Sequence, residues 1–141
     1  MIVLDSDILS LMLWKGATPS VLDQRLAQVP EHGLVTTIVN YEEQVRGWMS
    51  VIARARKMAE EIEAYRRLHG QLNLYRRVVV LDFDEVAATH FQHLRKQFRR
   101  LQASDLKAAS IALANQATLV TRNLRDFRQI PGLTVEDWTK E

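Results

Sequence analysis

Four acidic residues, Asp5, Glu43, Asp105 and Asp126, stand at segment boundaries where their carboxylates could act as one group. Asp5 directly follows the short apolar run Ile2-Val3-Leu4. Glu43 lies in Tyr41-Glu42-Glu43-Gln44, where a helical pattern takes over from a strand around Leu34-Val35. Asp105 opens the alanine-rich helix Asp105-Leu106-Lys107-Ala108-Ala109. Asp126 closes the stretch Thr121–Phe127 that follows Thr118-Leu119-Val120. Two carboxylates about 4 Å apart repel by roughly 4 kcal/mol at an effective dielectric of 20. Four together call for one or two hard cations such as Mg²⁺ or Mn²⁺, which prefer oxygen ligands and keep several waters. A cation held this way can acidify and orient an attacking water and neutralise charge on a scissile phosphate. Singly, each acid has a simpler explanation: Asp5 as a helix cap with Ser6 and Asp7, Asp105 as a favourable first-turn charge, Glu43 as an exposed helix residue, Asp126 as a turn residue. Only their convergence favours a site.

The elements that would position them alternate. Strands are expected at Ile2–Leu4, Gly33–Thr37, Val78–Leu81, Ala117–Thr121 and, at a sheet edge, Gly132–Val135. Helices are expected over about 7–14, 19–28, 41–52, 54–75, 84–99 and 105–115, with Asp82 or Asp84 capping the fifth and Ser104 the sixth. This alternation predicts an α/β fold with a mostly parallel sheet. The unbroken run Val78-Val79-Val80-Leu81 predicts a strand covered on both faces. Ligand sites in such folds lie outside the carboxyl ends of the strands. Asp5 and Asp126 follow strands directly. Asp105 starts a helix that must end at the opposite edge to feed the next strand. The connectivity itself brings the four acids to one edge.

Composition limits the alternatives. The chain has 141 residues, 47% hydrophobic and 26% charged, as expected of one globular domain. It has no cysteine, which excludes disulfides and thiolate chemistry, and a cytoplasmic location is expected. No membrane span or signal peptide is expected. Formal net charge is +2, with basic residues clustered at Arg95, Lys96, Arg99 and Arg100 and at Arg54, Arg56 and Lys57. These are solvated helix faces or a surface for phosphate backbones, and charge does not separate the two. His90 and His93 share a helix face, but no third or fourth zinc ligand accompanies them. No phosphate-binding glycine motif occurs.

Several segments resemble the PIN-domain nucleases, and most closely the VapC-type toxins of bacterial toxin–antitoxin pairs. Val3-Leu4-Asp5-Ser6-Asp7-Ile8-Leu9 is similar to their opening motif. Glu43 precedes Gly47 by the family's spacing, and Asp105 precedes Ala109 likewise. Ala117–Phe127, reading ATLVTRNLRDF, is very close to the family's segment, and Ile130–Trp138 resembles its tail. The resemblance implies one PIN-like α/β/α domain over residues 1–141, with a central sheet of four to five strands. It implies that Asp5, Glu43, Asp105 and Asp126 are the metal-binding and catalytic acids, Asp5 and Asp105 the most direct. Ser6, Asp7, Thr121 and Asn123 would support them. Asp7 stands where the family often has Asn, Asn40 where Thr or Ser is common, and Gln102 where Gly is frequent. The implied activity is an Mg²⁺- or Mn²⁺-dependent endoribonuclease. The implied partners are an RNA substrate, a small antitoxin lying near Trp14 and the helix over 54–75, and a second copy in a homodimer. DNA would be met only through the antitoxin, and no membrane is implied. The rival readings are a binding module whose acids are idle, and a flap-like nuclease acting on DNA.

Overall fold

Parallel pairing decides the architecture. The computed structural model describes residues 1–13, 20–30 and 33–140. In chain order its elements are β1 (Ile2–Leu4), α1 (Ser6–Leu13), α2 (Ser20–Ala27), β2 (Leu34–Thr37), α3 (Ile38–Arg54) and α4 (Met58–Tyr75). There follow β3 (Val79–Leu81), α5 (Glu85–Gln97), α6 (Ala103–Ala114), β4 (Thr118–Val120), α7 (Leu124–Phe127) and β5 (Thr134–Glu136). The five strands form one sheet in the order β3-β2-β1-β4-β5, and every neighbouring pair is parallel. The chain builds outward from β1 through β2 to β3. It then returns through α5 and α6 to lay β4 against the other side of β1. The strand order therefore reverses between β1 and β4, and crevices at such reversals are where open α/β sheets bind ligands.

Successive strand residues face opposite sides, and both sides are covered. Val3, Val35 and Leu119 pack with Leu94, Leu106, Ala109, Ala112 and Phe127 from α5, α6 and α7. Leu4 and Val120 pack with Ile8, Leu9, Leu22, Leu74 and Tyr75 from α1, α2 and α4. This is the expected three-layer arrangement, and the two-sided burial explains the apolar central strands.

Some local expectations fail for identifiable reasons. The β-branched run at Val78–Leu81 does form a strand, but at the sheet's edge, and Val79 is 49% exposed. Propensity specifies an extended backbone and not a position in the sheet. Helix α3 begins at Ile38, three residues before the expected start, because Thr37 is its N-cap and accepts the Asn40 N–H at 3.1 Å. The expected helix over 54–75 begins only at Met58, since Ala55 and Lys57 have extended backbone and break α3 from α4. Asp84 caps α5 by accepting the Ala87 N–H at 3.0 Å, so Asp82 does not. Ser104 does not cap α6; the Leu106 N–H to Gln102 carbonyl bond starts that helix earlier and places Ser104 in its first turn. Asp126 lies in the short helix α7 and not in a loop.

The join between α6 and β4 carries backbone strain. The N–H of Ala117 reaches the Ala112 carbonyl at 2.9 Å and that of Gln116 reaches Leu113 at 3.1 Å. This Schellman closure needs a left-handed residue at Gln116, whose φ is 52°. A side chain there costs about 1–2 kcal/mol, partly offset in the unfolded chain by its smaller freedom. Gln116→Gly is expected to stabilise the fold by about 0.5–1 kcal/mol, read as a rise in the urea midpoint with an unchanged slope.

Candidate active site

Asp5 stands directly after β1, where the strand order reverses towards β4. Its backbone N–H bonds to the Val120 carbonyl at 3.0 Å, extending the ladder by one residue, and its carbonyl accepts from Ile8 and Leu9 to start α1. The side chain is 9% exposed. Its Oδ1 accepts the Ser6 N–H and the Asn40 Nδ2–H, both at 2.9 Å, and its Oδ2 accepts the Thr121 hydroxyl at 2.8 Å. Burial, followed by the charge of Asp7, pushes the Asp5 carboxyl above the ordinary range, while the bonds from Thr121, Ser6 and Asn40 oppose that rise. The donors come from three elements, so the carboxylate orientation is set by the fold.

Asn40 is the residue that sequence reasoning placed only as a departure. The Thr37 hydroxyl donates to Asn40 Oδ1 at 2.6 Å, leaving Nδ2 to face Asp5 and the Ser6 hydroxyl, the latter at 2.9 Å. The signal was available in Thr37-x-x-Asn40, which has the spacing of a capping box. Ser6 passes the order on: its hydroxyl donates to Glu43 Oε1 at 3.0 Å. Glu43 is therefore tied to β1 although it belongs to α3.

The β4 side is organised by Thr121, which is fully buried. Its Oγ1 also accepts the Asn123 N–H at 3.0 Å, and Asn123 Nδ2 donates to Asp126 Oδ2 at 3.1 Å. Thr121 and Asn123 thus hydrogen-bond two of the four acids, Thr121 at Asp5 and Asn123 at Asp126. Asp7 is held differently. Its Oδ2 accepts the Arg122 N–H at 3.1 Å and meets Arg122 Nε at 3.5 Å, while its buried Oδ1 has no hydrogen-bond partner.

Asp105 reaches the cluster from the first turn of α6. Burial raises its carboxyl to a pKa of about 6, helped by the charges of Asp5, Glu43, Asp126 and Asp7 in that order. One half-buried carboxyl thus senses all three of the other expected acids and one more. Among the described residues, no group of three His, Asp or Glu side chains is drawn together as a ready ligand set. The acids feel one another's charge, chiefly at Asp105, without closing into a cage.

A second network braces it. Gln44 Nε2 donates to the Ser6 carbonyl and the Ser10 hydroxyl, each at 3.1 Å, and Gln44 Oε1 accepts from the Tyr75 hydroxyl. Burial, then Glu43, Asp5 and Tyr41, raises the Tyr75 hydroxyl's pKa, so it remains a donor. Neither residue was singled out for this from the sequence, because the link joins α1, α3 and α4 only in three dimensions. Tyr75→Phe is expected to cost about 1 kcal/mol by leaving Gln44 short of a donor, measurable by urea unfolding.

Fold and site together define a class: a parallel α/β domain with an acidic cluster at its strand-order reversal. The sequence model of the PIN domain matches residues 2–133, and the chain belongs to the PIN domain family. Within that family it is similar to the VapC proteins. It is 30% identical over 141 residues to Ribonuclease VapC1 of Haemophilus influenzae strain R2866, covering 98% of each chain. Among solved structures, VapBC-1 from nontypeable Haemophilus influenzae contains a chain that superposes with a TM-score of 0.76 at 27% identity, over 99% of this chain and 100% of that one. A chain of DNA-bound VapBC from Salmonella typhimurium gives 0.77 at 25% identity, over 97% of each. Trp14 lies outside the described residues. Among those described, no helix is long and apolar enough to cross a membrane.

Proposed function

We propose that this chain is a metal-dependent endoribonuclease and the toxin of a toxin–antitoxin pair. The observation that carries the catalytic part is half-buried Asp105 at the start of α6, which feels the charges of Asp5, Glu43, Asp126 and Asp7, together with the buried, triply bonded Asp5. The donor set fits Mg²⁺ or Mn²⁺: all are oxygens, Asp7 Oδ1 is buried without a partner, and burial followed by repulsion from the other acids raises Asp105. Asp5 and Asp105 would hold the ion most directly, with Glu43 and Asp126 completing the site, directly or through water. A loose set of acids suits Mg²⁺, which takes one or two carboxylates and keeps several waters. The bound ion supplies an acidified water and charge neutralisation at a phosphate.

The protein's own groups do the rest. Asn40, Thr121 and the Ser6 N–H fix Asp5 with both oxygens oriented. Ser6 and Asn123 aim Glu43 and Asp126. The reaction is hydrolysis: water adds to phosphorus, the bond to the 3′-oxygen breaks, and the products carry a 5′-phosphate and a 3′-hydroxyl. The name of the Haemophilus relative, a ribonuclease, supports RNA as the substrate.

The antitoxin belongs to the same reading, and the neighbouring VapBC complexes support it. Helices α3 and α4 leave apolar hollows between and beside them, lined by Tyr41, Val45, Met49, Tyr65 and Leu72. Met49 is 59% and Tyr65 54% exposed, apolar area of the sort an antitoxin segment covers. A homodimer and a cytoplasmic location complete the proposal. The experiment is incubation of a mixed RNA pool with the purified chain and Mg²⁺ or Mn²⁺, beside EDTA and Asp105→Asn controls. Discrete fragments from the metal-loaded chain alone are expected. Metal binding with no cleavage of RNA, together with cleavage of DNA of the same sequence, would replace RNA as the substrate. Neither metal binding nor cleavage would leave a binding module.

A further inference from the structure

A cleft of about 1040 Å³ opens between the α5–α6 connection and α7, and it shares Asp105, Asn123 and Asp126 with the acidic site. Its rim carries Lys96, Arg99, Arg100 and Arg125, all exposed. Among the described residues, none of these four has a carboxylate within ion-pair distance. The opposite, α1–α3 side of the cluster differs. There Arg46 is paired with Glu42, and Arg122 with Asp7. Among these residues, the positive charge without an ion pair lies on the α5–α7 side of the acids. Arg95, next to this group in sequence, turns over the Phe91 ring at 5.8 Å instead.

Four unpaired cations around a cleft repel one another and attract a polyanion. The cleft ends in the residues that would face the scissile phosphate, so the anion it suits is the continuing backbone of the same strand. We propose that this cleft is a one-sided phosphate track, in which Lys96, Arg99, Arg100 and Arg125 hold the single-stranded backbone flanking the scissile bond on the α5–α7 side. This deepens the nuclease reading and rests on it. The track positions the strand without reading bases, since its contacts are to phosphates. It also means that nucleotides beyond the scissile bond contribute affinity on one side and little on the other.

The test separates binding from cleavage. Full-length Asp105→Asn protein in EDTA is titrated with a fluorescein-labelled single-stranded RNA 12-mer across a range of NaCl concentrations, read by anisotropy. Each neutralised phosphate of a single strand contributes about −0.7 to the slope of log K against log salt, so four contribute about −2.8. Adding Arg99→Ala with Arg100→Ala is expected to bring the slope to about −1.4. Adding Arg99→Lys with Arg100→Lys restores most of it, because phosphate contact needs charge. The pair Arg54→Ala with Arg56→Ala, at the α3–α4 turn, removes equal charge and leaves the slope as it was. An unchanged slope after the Arg99 and Arg100 changes, or an equal fall from the Arg54 and Arg56 pair, would overturn the track. Cleavage of RNA by the unsubstituted chain is assayed separately with Mg²⁺. Cleavage with an unaltered slope refutes the track and spares the nuclease; the expected slope change without cleavage does the reverse.

Discussion

Asp105→Asn is expected to lower RNA cleavage by about 10³-fold while making the metal-free protein more stable at pH 7. On the proposed reading Asp105 holds the metal directly, and the loss follows from replacing its charged carboxylate with a neutral amide, which forfeits about 4 kcal/mol of transition-state stabilisation. The gain follows from the surroundings of Asp105, where burial and four neighbouring acids oppose its charge. The neutral amide at the same position removes that opposition. The two readouts together make the result specific: a variant that lost activity by misfolding would also lose stability. Cleavage time courses with Mg²⁺ and urea unfolding in EDTA measure both. Cleavage within tenfold of the parent would remove Asp105 from the site.

Magnesium and pH are expected to act on the same charge. The Asp105 carboxyl stands at about 6 in the folded protein, against 3.8 for a free side chain. Between those values the folded state binds more protons than the unfolded state. The contribution to stability is thus fully present below about pH 4 and is lost as pH rises through about 6. The loss is about 1–2 kcal/mol after allowing for the solvent-facing half of the side chain. In EDTA the parent is expected to lose that amount between pH 4 and 7 relative to Asp105→Asn, in which the step is absent. Mg²⁺ or Mn²⁺ reverses the loss, because binding to the native state alone stabilises by about 2.7 kcal/mol at a hundredfold excess over Kd. The increment is expected to fade below pH 6, where protons compete for Asp105, and to shrink in Asp5→Asn. Melting curves over pH 4–8 with and without 10 mM metal are the measurement. A metal-dependent shift of equal size in Asp5→Asn would take Asp5 out of the ligand set.

Asp7 shows why the charge at this site is higher than four acids would make it. It adds a fifth carboxylate beside Asp5, raising the latter's pKa, and Arg122 answers only one of its oxygens. From the sequence Asp7 was a departure from the family's Asn. Its cost and its partner exist only in the folded chain, where Arg122, two residues past β4, lies beside Asp7 in the first turn of α1.

By itself the sequence determined the alternation of strands and helices, the parallel sheet, and the placement of four acids at its carboxyl edge. These are local and topological facts: apolar runs of three to five residues are extended, and a strand that ends in Asp puts that Asp at its end. Tertiary structure decided what periodicity does not encode. It placed Val79 at an exposed edge, because sheet order depends on which crossover packs best and not on the strand's own residues. It turned Asn40 into the donor that orients Asp5, and made Gln44 and Tyr75 a brace behind Ser6. These roles depend on hydrogen bonds spanning more than thirty residues of chain, whose angles exist only once the sheet and its helices have packed. The shift of Asp105 has the same origin, since a carboxyl's pKa reports the charges and burial around it in space.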